Sequence, residues 1–292
     1  MIKKSDLRLL EQALPSMSEG EKQRNLALLK KYKAEINKER SVESFLEFIK
    51  HVYPNYIIGA HHRHLAEIFE DIARGIKKRV VVNIAPRHGK SEMISYLAPA
   101  WFLGKYPAKK VIMASHTADL AVNFGRRVRN LVGSDAYKEV FPNVELQADS
   151  KSASRWGTNF NGEYFAIGVG GALAGRGADL FIIDDPHSEQ DAKQNRADVF
   201  LPAWEWFQSG PIQRLMPGGA IIVVMTRWSK LDLTGQIMNQ MVKNDEAEPW
   251  EVVEFPAIIQ DKEGEERALW PEFWDIEELK QKRSVLDTRY WN

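Results

Sequence analysis

The chain has 292 residues, with 40 Lys plus Arg balanced by 40 Asp plus Glu, and it contains no cysteine. Its length allows one large α/β domain or two small ones, and its zero net charge argues against a dedicated nucleic-acid module, which is usually basic. Without cysteine there is no disulfide, thiolate zinc site or Cys nucleophile; no apolar run approaches the ~20 residues of a membrane span, and the charged N-terminus lacks the apolar core of a signal peptide.

Residues 5 to 40 carry Leu7, Leu10, Leu14, Leu26, Leu28 and Leu29 at helical spacing, which predicts one or two amphipathic helices broken near Pro15 and Gly20. Ser44, with Glu47 three residues on, caps a further helix to about Val52. A helix from His62 to Ile72 stops at Gly75, and Val80 to Ala85 is the first strong strand. Lys90 to Tyr96 opens a helix that Pro99 ends or kinks. Strands then follow at Val111–Ser115, Glu163–Val169, Leu180–Ile183, Ala220–Met225 and Val252–Phe255. Helices are expected at Thr117–Val132, Asp191–Phe207 (interrupted by Pro202) and Leu231–Val242, and Asp275 begins another helical element. Apolar runs separated by helices predict a parallel sheet covered on both faces.

Pro86-Arg87-His88-Gly89-Lys90-Ser91-Glu92 follows the first strand and opens a helix. That is the context of a phosphate-binding loop, in which backbone amides cradle phosphates, Lys90 reaches the β/γ oxygens and Ser91 binds Mg²⁺. The pattern G-x-x-x-x-G-K-[ST] departs here, because its first position holds Ile84. Leu180-Phe181-Ile182-Ile183-Asp184-Asp185 is an apolar strand ending in acids. Asp184 is assigned to the metal, and Asp185, with Glu189 as the alternative, to the attacking water. Thr226, at the end of another buried strand, is placed to sense the γ-phosphate and Arg227 to answer its loss. Arg87 is a candidate for stabilising charge on the phosphoryl group, and Arg176, between Gly175 and Gly177, for a finger offered to a neighbouring subunit. Tyr56 and His62, upstream of the loop, suit contacts to adenine; a surface or packing role is the bland alternative. Lys77, Lys78, Arg79, Arg126, Arg127 and Arg129 are candidate DNA contacts, or simply solvated faces.

Pro86 to Glu92, Ile182-Ile183-Asp184-Asp185-Pro186-His187, Met225-Thr226-Arg227-Trp228 and Trp270-Pro271-Glu272, in this order, resemble the ATPase half of tailed-bacteriophage large terminase subunits over roughly residues 55 to 292. The resemblance implies a P-loop NTPase fold of the additional-strand type, preceded by an N-terminal helical segment (1–54). The ATPase core would span 55–260, followed by an extension (261–292) towards a nuclease domain that this chain is too short to hold. It implies ATP and Mg²⁺ as ligands and ATP-driven translocation of double-stranded DNA into a procapsid. The implied partners are a portal protein and a small terminase subunit, and the implied assembly is a homo-oligomeric ring, commonly a pentamer, with a monomer as the isolated form. The implied setting is the host cytoplasm, with no membrane. Lys90, Ser91, Asp184 and Thr226 take the family's phosphate, metal and coupling roles by resemblance, and Arg87 resembles its loop arginine. Relatives often carry Glu where this chain has Asp185. A helicase-like ATPase on the same core and a non-hydrolysing, nucleotide-dependent assembly protein are the competing readings.

Overall fold

The computed structural model describes residues 12–194 and 196–286. Its centre is an eight-stranded sheet: β1 (Arg79–Ile84), β2 (Lys110–Ser115), β3 (Leu146–Lys151), β4 (Arg155–Thr158), β5 (Glu163–Gly168), β6 (Ala178–Asp184), β7 (Leu215–Met225) and β8 (Glu251–Phe255). The spatial order is β3-β4-β5-β2-β6-β7-β1-β8. From β5 to β8 every pairing is parallel, whereas β3–β4 and β4–β5 are antiparallel. The sheet is therefore not uniformly parallel, as the apolar runs had suggested. Strands β3 and β4 are short and polar, so no apolar run announces them. The strand β7 lies between β1 and β6.

Side chains alternate across the parallel strands because the strand period is two. Val80, Val82, Leu180, Ile182, Ile222 and Val224 enter one core, and Val81, Phe181, Ile183, Ile221 and Val223 enter the other. Both faces are covered, which is why these strands read as continuous apolar runs. The first core takes Phe45, Phe48 and Ile49 from α2 (Phe45–Val52), Leu65 and Phe69 from α3 (Ala60–Ala73), and Trp101 from α4 (Ala98–Lys105). It also takes Val128 from α5 (Ala118–Val132) and Tyr137 from α6 (Asp135–Val140). The opposite core takes Trp206 and Phe207 from α8 (Ala197–Ser209) and Leu233 and Ile237 from α9 (Leu233–Lys243). Between β6 and α8 lies α7 (Glu189–Gln194).

Several local expectations change. α1 runs unbroken over Glu19–Glu43, capped by Ser18, and Gly20 sits in its first turn rather than interrupting it. Only Leu29 and Ser41 of α1 are buried, so its leucines do not form one packed stripe. Leu7 and Leu10 lie outside the described residues. Pro99 neither ends nor breaks its helix. The preceding turns, Glu92–Leu97, are π-type, with Ala98 N–H bonded to Met93 O, and the helix continues into α4. A wide turn suits a residue that has no N–H to give. Pro202 lies inside α8, and the interruption falls earlier, at Arg196, whose backbone is extended. Ser44 caps α2 as expected, accepting from Glu47 N–H. Beyond β8, a small antiparallel pair, β9 (Ile258–Gln260) and β10 (Glu266–Ala268), and α10 (Ile276–Val285) complete the described chain.

Candidate nucleotide site

Parallel strands end on one side, and their carboxyl ends form a crevice suited to ligands. Here the ends of β1, β2, β6 and β7 border a cleft of about 790 Å³ lined by Pro86, Lys90, Ser91, His116, Asp184, Asp185, Glu189, Thr226 and Trp228 among others. Lys90, Ser91, Asp184, Asp185, Thr226 and the fallback acid Glu189 thus meet in one place, although they span more than a hundred residues of sequence.

After β1 the chain turns through Ala85 to Gly89, and the helix begins at Lys90. Arg87 has φ +62° and Gly89 φ +81°. A left-handed Arg costs about 1 kcal/mol or more. At Gly89 only glycine fits, because a Cβ would lie 2.3 Å from His62 Nε2 and 2.8 Å from Tyr56 Oη. Arg87 is exposed. Glu92 is tied to Arg127 of α5 at 2.5 Å.

Asp184 is buried, at 2% exposure. Ser91 Oγ donates to its Oδ1 at 2.9 Å, and Ser95 Oγ to its Oδ2 at 2.9 Å. Burial first, then the neighbouring Asp185 charge, pushes its carboxyl up to about 7, against the opposing pull of Lys90 and the two hydroxyls. Asp185, with φ +41°, turns its carboxylate the other way. Its Oδ2 lies 2.9 Å from Lys90 Nζ, and its Oδ1 accepts from Thr226 N–H at 2.9 Å. The acid considered for the attacking water is thus engaged with the loop lysine and the end of β7 at the same time. Glu189 is exposed on the rim of the cleft. Ser91 and Asp184 form an all-oxygen donor set suited to a hard cation such as Mg²⁺.

Other expected residues lie elsewhere. Arg227 turns away from the cleft: its Nε is 3.2 Å from Asp232 Oδ2, and one Nη is 3.4 Å from Glu254 Oε1. Asp232 is fully buried, caps α9 and also accepts from Trp228 and Ser229 N–H. Arg176 stacks its guanidinium 3.6 Å from the Phe165 ring centroid. Phe165 lies level with Phe181, three residues or about 10 Å short of Asp184 and two strands away from it, and Arg176 does not line the cleft. The structure does not bring Arg176 to its own subunit's cleft. Among the basic residues, Lys77 pairs with Glu251, Arg79 with Glu248 and Arg127 with Glu92, so these are held in ion pairs.

His62 and Tyr56 depart most from expectation. Neither lines the cleft. His62 is fully buried behind the loop, where its Nδ1 accepts from Gly59 N–H at 3.1 Å and its Nε2 lies 3.1 Å from His88 O. It has no free edge for adenine. His61 Nε2 lies 3.1 Å from the same oxygen. Burial depresses His61 to about 4 and His62 to about 3, so both are neutral near pH 7. Tyr56 Oη donates to Gly89 O at 3.4 Å. Trp270, also buried, packs edge-on against His62 with centroids 4.7 Å apart. The residues missed from sequence are Ser95 and Trp274, and Trp270, noted only within the Trp270-Pro271-Glu272 motif, was given no place at the loop. Ser95 had a local signal, lying one helical turn beyond Ser91, but nothing local ties either tryptophan to the loop, from which both are about 180 residues distant.

A strand inserted between the phosphate-loop strand and the acid-bearing strand, with lysine, serine and paired aspartates at their ends, defines a P-loop NTPase of the additional-strand type. The family model for the terminase large subunit, T4likevirus-type, N-terminal, matches residues 81–289, and the chain belongs to this family. Similar solved structures include the HK97 bacteriophage large terminase, at 15% identity and TM-score 0.45 over 68% of this chain and 40% of that one. The Thermus phage P74-26 large terminase ATPase domain gives 14% identity and TM-score 0.45 over 81% of this chain and 98% of that one. The large terminase of thermophilic bacteriophage D6E, in complex with ADP, gives 9% identity and TM-score 0.41 over 75% and 49%. The chain thus spans 40% of the length of the HK97 protein. No curated protein matches it.

Proposed function

We propose that this chain hydrolyses Mg-ATP and that, as part of a terminase, it couples hydrolysis to movement of double-stranded viral DNA into a procapsid. The observation that carries the reading is the pairing of Lys90 with Asp185, and of Ser91 with Asp184, at the mouth of one cleft. Lys90 and the loop amides bind the phosphates. Ser91 and Asp184 would hold Mg²⁺, which when bound neutralises charge on the β- and γ-oxygens. A γ-phosphate that draws Lys90 away frees Asp185 to orient water, and the Asp185–Thr226 hydrogen bond passes that movement to β7. Arg87, exposed at the loop, is free to swing towards the phosphoryl group.

Family membership supports the packaging role, with double-stranded DNA, a portal protein and a small terminase subunit as partners and a homo-oligomeric ring, a pentamer, as the working assembly in the host cytoplasm. The isolated chain is proposed to be monomeric. The helical segment to residue 54, the core to 260 and the extension beyond are its proposed parts. No helix among the described residues is long and apolar enough to cross a membrane.

Phosphate release under saturating Mg-ATP tests the reading. Wild type turns over and Lys90→Ala does not; full activity in Lys90→Ala would overturn it. Arg176 acts only in trans. Mixing Arg176→Ala with Lys90→Ala protein under ring-forming conditions should restore part of the activity, and no recovery counts against a shared site.

A further inference from the structure

This phosphate loop lacks the first glycine of its pattern and carries a left-handed arginine, yet its peptide planes are fixed from behind. Each carbonyl from Pro86 to Gly89 receives a side-chain donor. His88 Nδ1 donates to Pro86 O at 2.9 Å, and Trp274 Nε1 to Arg87 O at 3.4 Å. His61 and His62 both direct Nε2 at His88 O, each at 3.1 Å. Tyr56 Oη donates to Gly89 O at 3.4 Å. The tautomer of His62 follows from geometry: its Nδ1 accepts from Gly59 N–H, so its proton is on Nε2 and points at the carbonyl. His61 must likewise protonate Nε2 to share that oxygen, which leaves its buried Nδ1 without a partner, as observed.

In a trans peptide the C=O of one residue and the N–H of the next point in opposite directions. Carbonyls drawn back towards α3 and the tryptophans therefore turn the amides of His88, Gly89 and Lys90 the other way. The N–H groups of Arg87, His88 and Gly89 make no hydrogen bond among the described residues. Successive amides aimed into one concavity form an anion nest.

We propose that His61, His62, Tyr56 and Trp274 are positioning residues that hold the loop carbonyls outward and so pre-form the amide nest for phosphate. This role replaces adenine contact for Tyr56 and His62 and makes the segment after β10 part of the loop's support. It rests on the nucleotide-binding reading above, and it assigns the support to imidazole and indole donors in place of the missing glycine.

The test uses the whole chain and calorimetric titration with two probes, inorganic pyrophosphate and ADP. His62→Phe keeps a ring and loses the donor; His62→Gln keeps a donor. Tyr56→Phe and Trp274→Phe remove donors at only partly buried positions and serve if His62→Phe does not fold. Losing one such hydrogen bond is expected to weaken binding about 3- to 10-fold. The loss should be equal for pyrophosphate and ADP, be recovered mostly by His62→Gln, and multiply in the Tyr56→Phe, Trp274→Phe double variant. Pyrophosphate affinity unchanged in folded His62→Phe and in the double variant overturns the clamp. So does a loss confined to ADP, which would return these residues to base contact. Wild type that binds neither probe would instead overturn the nucleotide-binding reading, so the two failures are distinct.

Discussion

The two sides of the phosphate loop are built from opposite materials. Its front carries charge: Lys90, Asp184 and Asp185, with Ser91, Ser95 and Thr226 satisfying the carboxylates. Its back carries neutral rings: His61, His62, Tyr56, Trp270 and Trp274. The front side places charge where phosphates and a cation would bind. The back side excludes water and fixes backbone orientation. The contrast separates chemistry, which a few acids and a lysine supply, from geometry, which distant aromatic residues impose.

The largest effect should come from the front. Asp184→Ala removes the carboxylate that Ser91 and Ser95 both address, and phosphate release is expected to fall at least ~10²-fold with the fold intact by circular dichroism. A near-normal rate would remove Asp184 from the chemistry and leave the front side merely structural. Gly89→Ala probes where front and back touch. The added methyl would clash with His62 and Tyr56 at positive φ. A loss of about 2–3 kcal/mol in urea unfolding is expected, together with weakened nucleotide binding. Unchanged stability would show that the back side is loosely packed.

The two sides should also respond to pH with opposite sign. Asp184 keeps its proton in the folded chain up to about 7, whereas the unfolded chain releases it near 4. In that window the folded state binds more protons, so Asp184's contribution to stability declines as pH rises. His61 and His62 stay neutral when folded down to about 4 and about 3, while the unfolded chain takes up protons below 6.5. Their contribution is therefore lost as pH falls below 6.5. In nucleotide-free protein, Asp184→Asn should flatten the decline in Tm towards pH 8, and His62→Phe the decline towards pH 4. The reverse assignment of the two limbs would break the comparison.

Ser95→Ala should have a smaller effect. It removes one of two hydroxyl donors to Asp184 and is expected to cost about 1 kcal/mol of stability and to lower ATP turnover a few-fold, read from thermal melts and steady-state rates. The smallest effect is expected at Arg176. Arg176→Ala should leave ADP affinity of the isolated chain within about 2-fold, because its guanidinium stacks on Phe165 and does not line its own subunit's cleft. A larger change by calorimetry would show that this flank communicates with the cleft.

The difference between the sides also explains what could be read in advance. Apart from Ser95, which lies inside a helix, the front was legible because its groups end or closely follow a recognisable apolar strand. Asp184 follows Ile182-Ile183, Thr226 follows Val223-Val224-Met225, and Lys90 opens a helix after Val80 to Ile84. The antiparallel edge β3–β4 was not legible, because polar strands leave no apolar run. Arg227 was read as cleft-facing from its place beside Thr226, yet Asp232 and Glu254 draw it to the other side of β7.

The sequence by itself determined the parallel core, the position of the loop and the identity of the charged groups, because strand periodicity and local motif chemistry act within a few residues. Only the tertiary structure decided which aspartate meets Lys90, that His62 lies behind the loop rather than in the cleft, and that Trp270 and Trp274 pack against it. These depend on contacts between segments 26 to 187 residues apart, where packing of rings and the direction of a single carbonyl override any local pattern.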